Sequence, residues 1–319
     1  MEGPTPVSAL IHAATLVTAG VFLIIRCSYF FEFSPVCLNI LCLVGGLTAF
    51  FAATIGLVQS DIKKVIAYST LSQLGYMVFA CGISNYSISL FHLANHALFK
   101  ALLFLGAGSI IHGLSDQQDM RKMGGLFNYF PITSTSILIG SIALTGIPFF
   151  TGFYSKDLIL ENALSSYNLV GNYAYFFGCL AACCTSFYSF RLFFLVFVNK
   201  TNGMKKIIES AHEPSFFMIF PLLILSIGSI FSGFVLKDLF SGLGNCSFQN
   251  SIFNLYKPLI FDSEFILSFY KQVPLFFSLL GVTLSFFLIY DKQLKFCNKK
   301  ILDFKIFSAR KMIVFLTNK

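Results

Sequence analysis

Ser89 to His112 reads SLFHLANHALFKALLFLGAGSIIH. About 20 apolar residues are enough to cross a bilayer as a helix, so this stretch is long enough to span. It also carries His92, His96 and Lys100. Steps of four drift by only about 40° on a helix, which puts the three titratable groups on one stripe. Leu93, Ala97, Leu98, Leu102 and Leu105 fall on the other side, toward lipid or neighbouring helices. A lysine at mid-membrane depth costs roughly 3 kcal/mol by insertion scales, so its retention points to proton or ion handling. The plainer alternatives are an interhelical hydrogen bond for each histidine and snorkelling for the lysine. With about ten apolar residues on either side, Lys100 is too deep to snorkel easily.

The rest of the chain reads as helices gathered around this seam. Of 319 residues 56% are hydrophobic and 11% charged, and the mean hydropathy is +0.78. A soluble domain carries about 25% charged residues, so the composition predicts an all-α, polytopic transmembrane bundle. The net charge of +8 does not indicate nucleic acid; the basic residues sit mostly in short loops, where they set topology. Nine cysteines are scattered with no Cys-x-x-Cys pair, which reads as packing rather than a metal or haem site. Met1-Glu-Gly-Pro-Thr-Pro has neither the basic start of a secretory signal nor an Arg-rich presequence.

Apolar runs predict about eight crossings. They are Val7–Arg26, Val36–Val58, Ile62–Ile83, Ser89–His112, Ile132–Leu164, Asn172–Val198, Ser215–Leu236 and Pro274–Tyr290. Lys237–Lys271 is a long connection, and Lys292–Lys319 a basic tail. Lys63, Lys64, Arg121, Lys122, Lys200, Lys205, Lys206 and the tail fall on one side, which the positive-inside rule assigns to the cytosol or matrix.

Other crossings add candidates. In the first, Ser8, His12 and Thr15 fall at i, i+4 and i+7, which puts His12 on a second polar stripe. In the third, Asp61 suits an N-cap, Lys63 and Lys64 follow in the first turn, and Tyr68, Ser69, Thr70, Ser72, Gln73 and Tyr76 suit a hydrated interior. The fifth run is too long for one regular helix and is interrupted by Thr145-Gly-Ile-Pro-Phe-Phe-Thr-Gly152, after which Ser155-Lys156-Asp157 restarts it. A mid-membrane break usually lines a cavity, because the freed backbone groups must be satisfied by protein or water. Lys156 and Asp157 point about 100° apart and need not pair; an interfacial loop is the plainer reading. Arg191, near its helix end, reads as structural.

Five runs resemble the subunit 5 family of mitochondrial NADH dehydrogenase (respiratory complex I), an antiporter-like family of membrane subunits. They are EGPTPVSALIHAATLVTAGVFLI (Glu2–Ile24), SDIKKVIAYSTLSQLGYM (Ser60–Met77), FHLANHALFKALLFLGAGS (Phe91–Ser109), MRKMGGL (Met120–Leu126) and GIPFFTGFYSKD (Gly146–Asp157). The large Mrp-type antiporter subunits share the pattern but not this wording.

The resemblance implies inverted five-helix repeats, each with a broken helix and a buried lysine. Residues 36–198 would form one complete repeat, 1–35 the last helix of the preceding region, 199–290 two accessory helices and 291–319 the tail. Lys100 would be the central lysine, Lys156 and Asp157 the exit-side pair, and His92 and His96 links in the path. His12 would connect to the preceding repeat, and Lys63 would sit on the polar connection.

The implied function is redox-driven proton translocation in the mitochondrial inner membrane. Other membrane-arm subunits and lipid would be the partners, and NADH, FMN, iron–sulfur clusters and ubiquinone would belong to other subunits. A cation/proton antiporter subunit and a non-pumping structural fragment remain the alternatives. The family continues on both sides of the part matched here. A split gene with a second polypeptide supplying the N-terminal helices, or a fragment of a longer chain, would each account for that.

Overall fold

The structure is a computed structural model, and it describes residues 3–242, 248, 251–255 and 263–294. The basic tail expected beyond Lys292, with Cys297, lies almost wholly outside the described residues, as do Cys246 and Lys257.

The expected crossings are present, with small shifts at their ends. They are α1 (Thr5–Arg26), α2 (Pro35–Gly56), α3 (Ile62–Gly82), α4 (Tyr86–Gly113), α5 (Pro131–Thr145), α6 (Leu158–Ser165), α7 (Leu169–Val198), α8 (Phe216–Ser241) and α9 (Ser268–Leu294). Among the described residues, seven helices are long and apolar enough to cross a membrane, and α5 is a shorter apolar helix. The chain is therefore a multi-pass membrane protein. The connection between α8 and α9 is shorter than the sequence suggested, because α8 continues to Ser241 and α9 begins at Ser268.

Small residues let α2 and α3 approach closely. A Cβ on Gly75 would lie 2.5 Å from the Ala49 nitrogen, and one on Gly45 2.5 Å from that of Phe79. Where lipid tails are as apolar as leucine, such close backbone approach is a main source of helix association. Helix α4 runs through the middle of the bundle, with α3, α5 and α8 packed around it.

The loops gather at one end as topology predicted. The Ile62 N–H donates to Gln118 O, Met120 N–H to Ser60 O and Asn202 N–H to Met123 O. Glu213 accepts the N–H groups of Ile132 (2.6 Å) and Thr133 (3.3 Å), so a carboxylate from a distant loop caps the N-terminus of α5. Asp61 does not cap α3 with its side chain; it pairs with Lys64 at 2.8 Å instead. Lys64 is exposed, as an interfacial anchor should be. Arg191 donates to the carbonyl of Leu57, placing a cation at the C-terminal end of α2, where the helix dipole favours it.

The break after α5 falls where Gly and Pro predict it. Gly146 takes φ +82° and caps α5, and the chain re-enters helix through a π turn, Phe153–Asp157, that leads into α6. A Cβ on Gly152 would stand 1.8 Å from the Ala143 carbonyl oxygen, so the returning segment can lie against α5 only with glycine there.

Candidate functional site

Three elements position the buried polar groups. The stripe on α4 puts His92, His96 and Lys100 inside the bundle, none more than 1% exposed. Ser69, Gln73 and Tyr76 line the facing side of α3 at spacings of four and three. The π turn supplies Ser155, Lys156 and Asp157, all buried.

His92 is held from both sides. Its Nε2 lies 3.1 Å from Gln73 Oε1 and its Nδ1 2.9 Å from Ser155 Oγ. Gln73 Oε1 only accepts, so Nε2–H donates whatever the charge on the ring. In the neutral ring Nδ1 accepts the Ser155 hydroxyl proton. In the cation Nδ1–H donates, and Ser155 turns its proton to the Thr151 carbonyl at 3.3 Å. The same heavy atoms thus serve both protonation states.

Lys100 donates to Ser69 Oγ. The Lys156 ammonium donates to Thr185 Oγ1 on α7 at 3.2 Å and stands 5.3 Å above the Tyr76 ring, a cation–π distance. Tyr76 is fixed in turn by its hydroxyl, which donates to Gly178 O at 2.5 Å. Lys156 and Asp157 form no ion pair. Among the described residues the ion pairs within 4.0 Å are Lys64–Asp61 and Arg121–Asp119.

The rings of His92 and His96 are 6.2 Å apart, beyond direct transfer. Both ring nitrogens of His96 are buried without a protein partner, as is Gln73 Nε2. Orphaned buried groups of this kind are costly, and ordered water is their usual remedy. Next to Ser69, the partner of Lys100, a small cavity of about 10 Å³ has a mostly apolar lining (Val65, Ile66, Leu103, Ile137, Leu144 and Leu192) with Ser69, Ser141, Tyr188 and Ser189 at its edge. The buried Tyr188 hydroxyl lies there too, beside Ser69.

Two expected members lie elsewhere. His12 is exposed on the outer face of α1, beside Leu10 and Ile11. Residues Ser8–Thr15 are π-helical, and the wider i→i+5 turn carries the buried line through Ser8, Ala13 and Thr18 instead of His12 and Thr15. His12 is thus not part of the internal track within this chain. Lys63 is buried, 5% exposed, but its ammonium donates to Gly3 O at 3.3 Å, at the end of the bundle where the loops gather.

The sequence reading did not single out Thr185 or Ser155 as partners. The signal for Thr185 is the cluster Thr185, Ser186, Tyr188 and Ser189 inside an otherwise apolar helix. It also passed over Asn95, fully buried on α4, whose Oδ1 accepts from Ser232 of α8 at 3.0 Å.

A sequence-family profile described as NADH:quinone oxidoreductase/Mrp antiporter, TM, matches residues 1–183. The chain is 55% identical over 315 residues to NADH-ubiquinone oxidoreductase chain 5 of Acanthamoeba castellanii, covering 98% of this chain and 47% of the relative. It is 57% identical over 283 residues to the protein of that name from Marchantia polymorpha, covering 88% and 42%. The chain therefore spans about half the length of the curated relatives it matches. Among solved structures, the Mrp complex from Dietzia sp. superimposes with a TM-score of 0.70 at 24% identity, over 98% of this chain and 34% of that one. A membrane-bound sulfane sulfur reductase, an archaeal respiratory membrane complex, gives 0.63 at 24% identity, over 75% and 41%. Both likenesses speak to the fold alone.

Proposed function

Because the chain belongs to the NADH:quinone oxidoreductase/Mrp antiporter transmembrane family, we propose that it is a proton-translocating membrane-arm subunit of NADH:ubiquinone oxidoreductase. Protons move along the buried Lys100, His96, His92 and Lys156–Asp157 track, driven by redox energy released in other subunits. In this reading the chain works in the mitochondrial inner membrane, surrounded by lipid and by other membrane-arm subunits. NADH, FMN, iron–sulfur clusters and ubiquinone are held by those other subunits. Residues 36–198 act as one repeat unit. The remainder of the relatives' length is supplied by a second polypeptide or by further sequence of the same protein. The enzyme class is that of the complex, since the chemistry assigned to this chain is proton transfer.

The observation that carries the reading is His92, gripped by Gln73 and Ser155 in an arrangement that suits both the neutral and the protonated ring. A histidine that serves only packing needs one fixed tautomer. Here the switch between charge states requires only a hydroxyl rotation. The energy scale fits: moving a proton against 100 mV costs about 2.3 kcal/mol, and a swing of roughly two pKa units in one buried group supplies about 2.7 kcal/mol.

A cation/proton antiporter subunit is the competing reading, because the matching family profile covers Mrp antiporters as well as the oxidoreductase. The weight of sequence identity, 55% and 57%, lies with the oxidoreductase relatives. The decisive experiment is Lys100→Ala in the assembled complex reconstituted in sealed vesicles. NADH oxidation with fewer protons moved per electron is expected. A wild-type ratio refutes the proposal, and sodium-dependent proton exchange without redox substrate would favour the antiporter.

A further inference from the structure

Far from the basic loops, at the opposite end of the bundle, lies a second buried polar cluster that the track above does not use. Glu32 closes the short helix Ser28–Glu32 and is 5% exposed. Its Oε2 accepts the Leu255 N–H at 3.3 Å, and its Oε1 has no partner. Among the described residues, no lysine, arginine or histidine nitrogen lies within ion-pair distance of it. The hydroxyl of Tyr86 at the start of α4 faces this carboxyl and interacts with it, and Tyr86 is fully buried. Asn85, the next residue, is 2% exposed, and both its amide atoms are unpartnered. A strap, Ser251–Leu255, closes the cluster from outside. Its Phe253 N–H donates to Ser28 Oγ at 3.0 Å, and the Phe253 ring packs 5.0 Å from that of Tyr29.

A buried carboxyl facing a buried phenol, with the unpartnered Asn85 carboxamide on the residue next to that phenol, leaves more polar groups than the described protein partners satisfy and calls for a bound polar species. The set mixes donors with acceptors. A metal ion would use only the oxygens and leave the Asn85 NH₂ without a partner, whereas water or hydronium uses both kinds. Asn85 also stands seven residues, two helical turns, before His92, so the stripe of α4 points back to this cluster.

We propose that Glu32, with Tyr86 and Asn85, is the proton-exchange station of this chain on the membrane face opposite the basic loops. The step is a transfer from the Glu32 carboxyl O–H to a bound water, leaving carboxylate and hydronium, and its reverse. The inference rests on the proton-translocation reading and adds the site at which the proton meets the aqueous phase.

The test uses the assembled complex in sealed vesicles with Glu32→Gln, Glu32→Asp and Lys100→Ala. Glu32→Gln is expected to lower the protons moved per electron to the level of Lys100→Ala. Glu32→Asp should recover at least half of the loss, a rescue that packing alone would not give. The redox-induced infrared difference spectrum should contain a carboxyl band that shifts in D₂O and is missing in Glu32→Gln. Normal pumping in Glu32→Gln beside impaired Lys100→Ala overturns the station and leaves the parent reading standing. Normal pumping in both removes the parent reading. A sodium stimulation of the wild type that vanishes in Glu32→Gln makes the cluster a cation site and overturns the station. Should Glu32→Gln fail to assemble, Glu32→Asp must shift the carboxyl band; an unshifted band rejects the idea.

Discussion

His92 accepts a change of charge without moving because Ser155 can face either way. Ser155→Ala removes that freedom, leaving Nδ1 without an acceptor when the ring is charged and without a donor when it is neutral. A buried polar group stripped of its partner costs about 1–3 kcal/mol, more when charged. On the proposed reading, proton transfer through this chain should slow by roughly 10–100-fold, at about 1.4 kcal/mol per decade. Pumping stoichiometry at matched electron-transfer rates would measure it, and an unchanged ratio would show that Ser155 is only packing. Residue chemistry also governs the loop that joins α4 to α5. The Arg121 guanidinium, bonded to Asp119 Oδ1 and Oδ2, holds the Asp119 carboxyl below the usual carboxylate range. A carboxyl depressed in the folded state contributes its stabilisation fully above the unfolded value near 3.9 and loses it as pH falls through the folded one. Hydrogen exchange at the Arg121 amide, which donates to Asp119, should therefore show constant protection from pH 7 to 5 and lose it only in stronger acid. In Asp119→Asn that acid-dependent loss should be absent.

Among the elements, the broken helix depends on two glycines for different reasons. Gly146 needs a left-handed φ of +82°, and Gly152 needs the absence of a Cβ against the Ala143 carbonyl. Gly146→Ala should cost about 1–2 kcal/mol of local strain. Gly152→Ala should do more harm, because backbone must move and the π turn carrying Lys156 moves with it. Comparing the melting of detergent-solubilised complexes orders the two, and equal effects would contradict the close approach. The break was readable in the sequence because Gly and Pro interrupt an apolar run too long for one crossing. The π turns were not. They leave no mark in residue type, and in α1 the π turn puts Ser8 inside while His12 and Thr15 face outward, whereas the same spacing in α4 keeps His92, His96 and Lys100 on one buried face. Stripe arithmetic assumes 3.6 residues per turn, and it is reliable only where the helix keeps that pitch.

For the molecule as a whole, alternation of loops was legible because basic residues cluster in short connections. Each such loop does meet the others at one end, through the backbone bonds that join Ser60, Gln118, Met123 and Asn202. Partners that come from distant helices were not legible: Thr185 reaches Lys156 across 29 positions, and Glu213 caps α5 from 81 positions away. No local pattern encodes such pairs. The same arrangement makes a prediction about sidedness. Thr201, in the basic loop region, and Tyr167, at the turn between α6 and α7, are both exposed and lie at opposite ends of the bundle. In a background where the exposed Cys37 is replaced by serine, Thr201→Cys should react with an impermeant maleimide from the positively flanked side only. Tyr167→Cys should react from the other side only. Because α7 lies between the two positions and is among the helices long and apolar enough to span, labelling of both from one side would mean that α7 does not cross the membrane. The His–Lys stripe would then have no bilayer to bridge.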